Sequence, residues 1–143
     1  MAGSLFLFMM DNLAKNIDGG KIDFSFHKTE RLCSKKVIDK LFIEGKTIFV
    51  YPVKIVYLET SLISKFPVQA AFTVGKRNFK RAVQRNLIKR RMREAYRLNK
   101  RQFYIEIGEK QVAVFFIYTA KTISEYKQIE LSVKKGLKKL LSE

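Results

Sequence analysis

The chain has 143 residues, a length typical of a single domain, and 47% of them are hydrophobic, which is enough apolar surface for a core. Its 29 Lys and Arg residues against 13 Asp and Glu give a net charge of +16, which indicates a polyanionic partner, either nucleic acid or an anionic membrane. One cysteine, one histidine and no apolar run of membrane-spanning length argue against disulfide-stabilised, zinc-binding and membrane-spanning proteins and favour a reducing compartment.

The first 23 residues are not expected to contribute to the fold. Their apolar stretch, Leu5 to Met10, is short and has neither a basic region before it nor a cleavage site after it, so it is not interpreted as a signal peptide. Met9 and Met10 are each considered as an alternative start, with the residues before it an artefact. The sequence therefore predicts an extension over 1–23, disordered or artefactual, and a single domain over 24–143.

The predicted domain begins with a helix and two strands. Apolar residues recur at helical spacing over 30–44, and Gly45 is suited to end that helix. Residues 46–59 are rich in β-branched and aromatic side chains, and Pro52 marks a sheet edge or a break between two short strands. In the second strand an apolar face alternates with a mixed face that could meet a ligand. The apolar face comprises Val53, Ile55 and Tyr57, and the mixed face comprises Lys54, Val56 and Leu58.

Four further elements are predicted in the second half. Val68 to Val74 indicates a central strand, and Lys80 to Gln102 indicates a long helix free of Gly and Pro. Gln111 to Tyr118 is an apolar run of strand length, and Ser124 is predicted to cap a last helix that ends near Leu141. The order αβββαβα, with parallel strands on either side of a crossover, predicts a two-layer α/β (α+β) sandwich whose helices lie on one main face.

Positive charge is concentrated on the long helix and the turn before it. From Lys76 to Arg101, twelve of 26 residues are Lys or Arg and Glu94 is the one acid, so this segment carries +11 of the total +16. At 100° per residue the helix divides into a cationic arc and an apolar arc. The cationic arc comprises Arg85, Asn86, Lys89, Arg90, Arg93 and Arg97. The apolar arc comprises Val83, Leu87, Ile88, Met92, Ala95 and Leu98.

This pattern favours nucleic acid over the ordinary explanation, a solvated charged face. Solvated helices usually alternate acids with bases at four-residue spacing, whereas here like charges follow one another from Arg81 to Arg101. Arg outnumbers Lys eight to four in the segment, and its planar fork suits phosphates and base edges. A membrane-surface helix would need a large exposed apolar face, but the apolar arc is needed to cover the sheet.

The segment from Phe72 to Leu98, FTVGKRNFKRAVQRNLIKRRMREAYRL, resembles the signature of the bacterial ribonuclease P protein subunit. The upstream segments FHKTERL, from Phe26, and LFIEG, ending at Gly45, are also similar, and the resemblance covers roughly residues 26–141. It implies a small mixed sheet with an unusual left-handed β-α-β crossover, an exception to the usual hand.

The resemblance also implies a function. It predicts a protein bound to the catalytic RNA of ribonuclease P, one protein per RNA, that also binds the 5′ leader of precursor tRNA. Removal of the leader would depend on Mg²⁺ bound mainly by the RNA, with no catalytic residue and no organic cofactor on this chain, and would take place in the cytoplasm without a membrane partner. The scattered acids and the lone His27 fit this division of labour.

Site residues fall into two groups. The first is expected to bind RNA: the resemblance implies this for Arg85, Asn86, Lys89, Arg90 and Arg93, and the charge pattern adds Lys76, Arg77, Arg81 and Arg97. The second is expected to line a cleft for the single-stranded leader and comprises Ile38, Phe42, Lys54 and Val56.

The sequence departs from the family pattern at Leu87, where an arginine is expected, so Leu87 either belongs to the core or leaves its contact to Arg91. Phe79 is an extra residue before the helix, and a core position is favoured over stacking on a base. The alternative function is a ribosomal or other structural RNA-binding protein of the same fold. DNA-binding regulation would ordinarily use a small helical module, which this layout does not provide.

Overall fold

The computed structural model of the chain describes residues 17–18, 21–22, 26–64 and 66–142. Three helices pack on a four-stranded sheet, and a two-strand ladder of β1 (Ile17–Asp18) and β2 (Lys21–Ile22) precedes them. The elements of the main body are α1 (Lys35–Glu44), β3 (Lys46–Val50), β4 (Val53–Glu59), β5 (Val68–Val74), α2 (Ala82–Ile107), β6 (Val112–Tyr118) and α3 (Tyr126–Leu141). Most of the predicted extension over 1–23 lies outside the described residues.

The sheet is mixed and has the strand order β3-β4-β6-β5. Strands β3, β4 and β6 are antiparallel neighbours, while β5 and β6 run parallel on either side of α2, which confirms the predicted crossover. The prediction that β5 is central is wrong, because β6 lies between β4 and β5 and leaves β5 at an edge. Part of that edge is covered where the Leu32 N–H donates to the Ala70 carbonyl at 2.9 Å. The left-handed crossover stays a prediction from the resemblance.

Both faces of the sheet carry an apolar core because β6 is apolar on both sides. Helices α2 and α3 cover one face and enclose the larger core, in which Tyr96, Tyr104 and Phe116 are among the largest fully buried side chains. Helix α1 covers part of the other face and buries Leu41 against Val56 in a smaller core. Two of the three helices thus share the main face, as predicted, and the other face remains partly open.

Helix α1 begins five residues later than predicted because residues 28–30 form a separate 3-10 turn that directs Glu30 into the core. The helix ends at Gly45, as predicted, and the Gly45 N–H donates to the Leu41 carbonyl at 2.8 Å. The φ of Gly45 is −69°, so glycine is required here for space and not for a left-handed conformation. A Cβ atom at Gly45 would collide with the Leu41 carbonyl oxygen and crowd Val56.

Replacing Gly45 with alanine is therefore expected to lower the free energy of unfolding by about 1–3 kcal/mol, since a backbone oxygen cannot move aside as a flexible side chain can. Gly75→Ala is the matched control, because a Cβ at Gly75 meets no atom within 4 Å. Urea denaturation of both variants measures the difference. Equal stability of the two variants would contradict this explanation of Gly45.

The last two helices differ from their predicted ends. Helix α2 extends to Ile107, five residues beyond the predicted end, and stops at Gly108, whose φ is +70°. The prediction that Ser124 caps α3 is wrong, because Glu125 is the N-cap and the buried Ser124 hydroxyl bonds the Tyr118 hydroxyl at 2.9 Å. In the part of the chain that the structure describes, no helix is long and apolar enough to cross a membrane.

Candidate nucleic-acid interface

The predicted cationic arc lies on the side of α2 that faces away from the sheet. Asn86, Arg90 and Arg93 are exposed at its centre, and Arg81 is exposed at the N-cap. Arg85, Lys89 and Arg97 are half-buried at its margins. No side chain caps the start of α2, so the positive end of the helix dipole adds to the charge of the exposed turn that carries Lys76 and Arg77.

Arg85 has a structural role at the margin of this arc. Its Nη1 donates to the carbonyl oxygens of Phe79 at 2.7 Å and Lys80 at 2.9 Å. These bonds fasten the turn that carries Lys76 and Arg77 to the first turns of α2. Arg85 therefore fixes the position of neighbouring cations in addition to any contact of its own.

Two other arginines of α2 are engaged within the protein. The Arg97 Nε donates to Glu94 Oε2 at 3.0 Å, which lowers the pKa of Glu94 and raises the pKa of Arg97. The Arg91 Nη1 donates to the Ser124 carbonyl at 2.7 Å and joins α2 to the loop before α3. Arg90 and Arg93 carry the exposed charge at the centre of the arc.

Lys100 belongs to the core although its charge was counted with the basic segment. It is 5% exposed, and its Nζ lies 2.7 Å from Oε1 of Glu30, which is fully buried. The Tyr104 hydroxyl donates to the same oxygen at 2.7 Å, and the His27 N–H donates to Oε2 at 2.6 Å. Burial raises the pKa of Tyr104 well above its ordinary value, so its hydroxyl remains a donor. This buried network fastens residues 27–30 to the far half of α2.

The apolar arc of α2 is only partly buried. Ile88, Met92 and Ala95 are fully buried as predicted, but Val83 is 79% exposed and Leu98 is 41% exposed. The predicted arc was wrong for these two residues because the buried stripe drifts around α2 toward Tyr96, Phe103 and Tyr104.

The two departures from the family pattern have different structural outcomes. Leu87 is half-buried at the margin of the apolar arc. Phe79 is 5% exposed and its ring centroid lies 5.9 Å from that of Tyr118, so the prediction of a core position is confirmed.

A second candidate surface lies on the opposite face of the sheet, in the groove beside α1. The Phe42 side chain is 52% exposed and meets Phe115 edge-on, with the ring centroids 5.1 Å apart. Ile38 and Lys54 are half-buried in this region, whereas Val56 is only 5% exposed and packs beneath α1. The α1 groove therefore presents aromatic and apolar surface beside a cation, and Val56 supports it from below.

Strand pairing extends the α1 groove across the sheet. Phe49 pairs with Lys54, and Lys54 pairs with Ile117, so these three side chains share the face that α1 leaves open. Phe49 is 56% exposed, while Phe115 and Ile117 are half-buried. Sequence reasoning missed Phe49, Phe115 and Ile117. Phe115 and Ile117 were missed because β6 is apolar on both faces, so its sequence does not reveal which face remains open. The alternation that placed Lys54 on the mixed face would have identified Phe49 once the pairing register was known.

Neither surface contains an arrangement typical of a protein nuclease site. His27 is exposed, and its ring stacks on Phe66 with centroids 5.6 Å apart. Among the described residues, no group of three or more His, Cys, Asp or Glu side chains is arranged to hold a metal ion.

Comparison with known proteins agrees with this geometry. The family model described as Ribonuclease P matches residues 26–141. The chain belongs to the ribonuclease P protein family. The ribonuclease P protein component of Porphyromonas gingivalis is 34% identical over 116 residues, which cover 80% of this chain and 85% of that protein. The component of Chlorobaculum tepidum is 34% identical over 119 residues, covering 76% and 77% of the two chains.

Solved ribonuclease P proteins share the fold. The Thermotoga maritima protein superposes with a TM-score of 0.62 at 21% identity, over 77% of this chain and 96% of that chain. The Staphylococcus aureus protein superposes with a TM-score of 0.60 at 22% identity, over 78% of this chain and 94% of that chain. Membership of the ribonuclease P family makes this chain the RNA-binding protein component of a ribonucleoprotein endoribonuclease that processes tRNA.

Proposed function

We propose that the chain binds the catalytic RNA of ribonuclease P through α2 and the 5′ leader of precursor tRNA through the α1 groove, one protein per RNA. The observation that carries this proposal is the placement of two chemically different surfaces on opposite faces of one sheet. Exposed arginines suit the phosphates of a folded RNA, whereas a groove of aromatic and apolar side chains beside a cation suits unstacked bases.

In this proposal the RNA holds the Mg²⁺ ions that promote hydrolysis of the phosphodiester bond, and the complex works in the cytoplasm. The chain contributes by neutralising phosphates. Arg90 and Arg93 place positive charge where RNA strands would otherwise repel one another, so less Mg²⁺ is needed to hold the RNA and its substrate together. The α1 groove adds binding energy that a tRNA without a leader cannot obtain.

Titration of Mg²⁺ with the cognate catalytic RNA tests the proposal. Added protein should lower the Mg²⁺ concentration needed for cleavage of precursor tRNA, and the protein without RNA should cleave nothing. Cleavage by the protein alone would contradict it. Binding to the RNA with no change in the Mg²⁺ requirement would favour the alternative of a structural RNA-binding protein.

Replacing Phe42 with alanine should weaken binding of the assembled complex to precursor tRNA by about 5- to 100-fold, the cost of removing one stacking platform for a base. Affinity for mature tRNA, which lacks the leader, should remain unchanged. Ile43→Ala is the matched control, since Ile43 neighbours Phe42 on α1 but is 82% exposed. Equal losses for precursor and mature tRNA would remove Phe42 from the leader site.

A further inference from the structure

The outward face of α3 carries a second, separate concentration of charge. Seven residues of α3 are exposed; two of them are Gln128 and Leu131, and none is acidic. The other five are all lysines, namely Lys127, Lys134, Lys135, Lys138 and Lys139. We refer to these five residues as the α3 lysine face.

Intramolecular contacts do not account for the α3 lysine face. None of its five side chains is in an ion pair with another residue that the structure describes. Lys134 and Lys138 lie one helical turn apart, as do Lys135 and Lys139, and like charges at this spacing destabilise a helix. The helix dipole favours Lys138 and Lys139 in the last turn but not the three that precede them.

Two acidic side chains lie at the junction of α2 and α3. At the junction of the two helices, burial raises the pKa of Tyr126 to about 12, and the carboxylates of Glu130 and Glu94 reinforce the shift. Glu94 is also paired with Arg97. The arginine arc and the α3 lysine face thus lie on different helices, with these two acidic side chains near Tyr126 at the junction.

We propose that the α3 lysine face binds the phosphate backbone of double-helical RNA, as a contact separate from the arginine arc and the α1 groove. The inference rests on the proposed function in taking RNA as the partner. Lysines act as point charges toward phosphates, and the face offers no aromatic ring on which an unpaired base could stack.

The chemistry and length of the face fit a duplex better than a membrane. Leu131 is the one exposed bulky apolar residue of α3, whereas a helix in a membrane surface needs an apolar face with several anchors. Lys127 and Lys138 stand about 16 Å apart along the helix at 1.5 Å per residue, a span that covers several phosphates of one strand.

The test measures binding of the full chain to a blunt RNA duplex of about 20 base pairs as salt is varied. The variant Lys127→Gln/Lys134→Gln/Lys138→Gln should reduce the slope of log affinity against log salt by about 2–3, close to one released counterion per lysine. The control Lys28→Gln/Lys110→Gln/Lys121→Gln removes the same charge from exposed positions elsewhere and should change the slope by less than about one. Replacing the three α3 lysines with arginine should preserve binding.

Three results would overturn the proposal: equal slopes for the α3 variant and the control, an equal loss on a single-stranded oligonucleotide, or a loss confined to anionic phosphatidylglycerol vesicles. Thermal unfolding of each variant confirms that the fold is retained. The assay contains no catalytic RNA, so its outcome is independent of the Mg²⁺ titration. Failure of the α3 lysine face and failure of the proposed function can therefore be told apart.

Discussion

Replacing Lys100 with methionine should lower the free energy of unfolding by about 3–5 kcal/mol, enough to reduce the melting temperature by more than about 10 °C. In the native chain Lys100 Nζ lies 2.7 Å from Glu30 Oε1. Methionine matches the length of the lysine stem but leaves the Glu30 carboxylate buried without its cation. The cost is large because Glu30 is fully buried and cannot regain water. Urea and thermal unfolding measure the loss.

A second substitution separates the ion pair from packing. Glu30→Gln in the Lys100→Met background removes the unpaired charge and retains one oxygen that can accept from the His27 N–H, while the amide NH2 can donate to the Tyr104 hydroxyl oxygen. The double variant should therefore recover at least half of the lost stability. Arg101→Met is the control, since Arg101 lies next on α2 but is only half-buried. A loss of similar size for Arg101→Met, or no recovery in the double variant, would contradict the assignment.

The Glu30–Lys100 pair also marks a limit of sequence reasoning. Charge density predicted a basic helix, and periodicity predicted its outward arc, because both signals are local to α2. Glu30 lies 70 positions before Lys100, so no local pattern distinguishes this lysine from its exposed neighbours. Helix α2 was also predicted to end too early, because the charge pattern over 80–102 does not show that its last turns bury Phe103, Tyr104 and Ile107 in the core.

The fold shows a similar division between local and long-range information. The bounds of β5 and the break at Pro52 were predicted because strand residues and proline act locally. The edge position of β5 was not, because it depends on β6 entering the sheet about forty residues later. The α1 groove was half-predicted: Phe42 came from the resemblance, whereas Phe49 and Ile117 required the pairing register.

Replacing Arg90 and Arg93 together with alanine should weaken binding to the catalytic RNA by roughly 100-fold or more, since a charge-assisted hydrogen bond contributes about 1.5–3 kcal/mol. The slope of log affinity against log salt should fall by about two, one counterion for each phosphate contact. Both side chains are exposed, so stability should change by less than about 0.5 kcal/mol. Filter binding across a salt series and thermal unfolding measure the two effects.

Arg85→Ala would be a less informative variant in this experiment, because Arg85 also has a structural role. Arg85 holds the carbonyls of Phe79 and Lys80, so its removal should loosen the turn that bears Lys76 and Arg77 as well as any contact with RNA. A loss of affinity at Arg85 therefore mixes positioning with binding, whereas a loss at Arg90 and Arg93 reports on binding alone. Lys110→Ala/Lys121→Ala removes equal charge from other exposed sites, and if it weakens binding as much, net charge and not the arginine arc would be responsible.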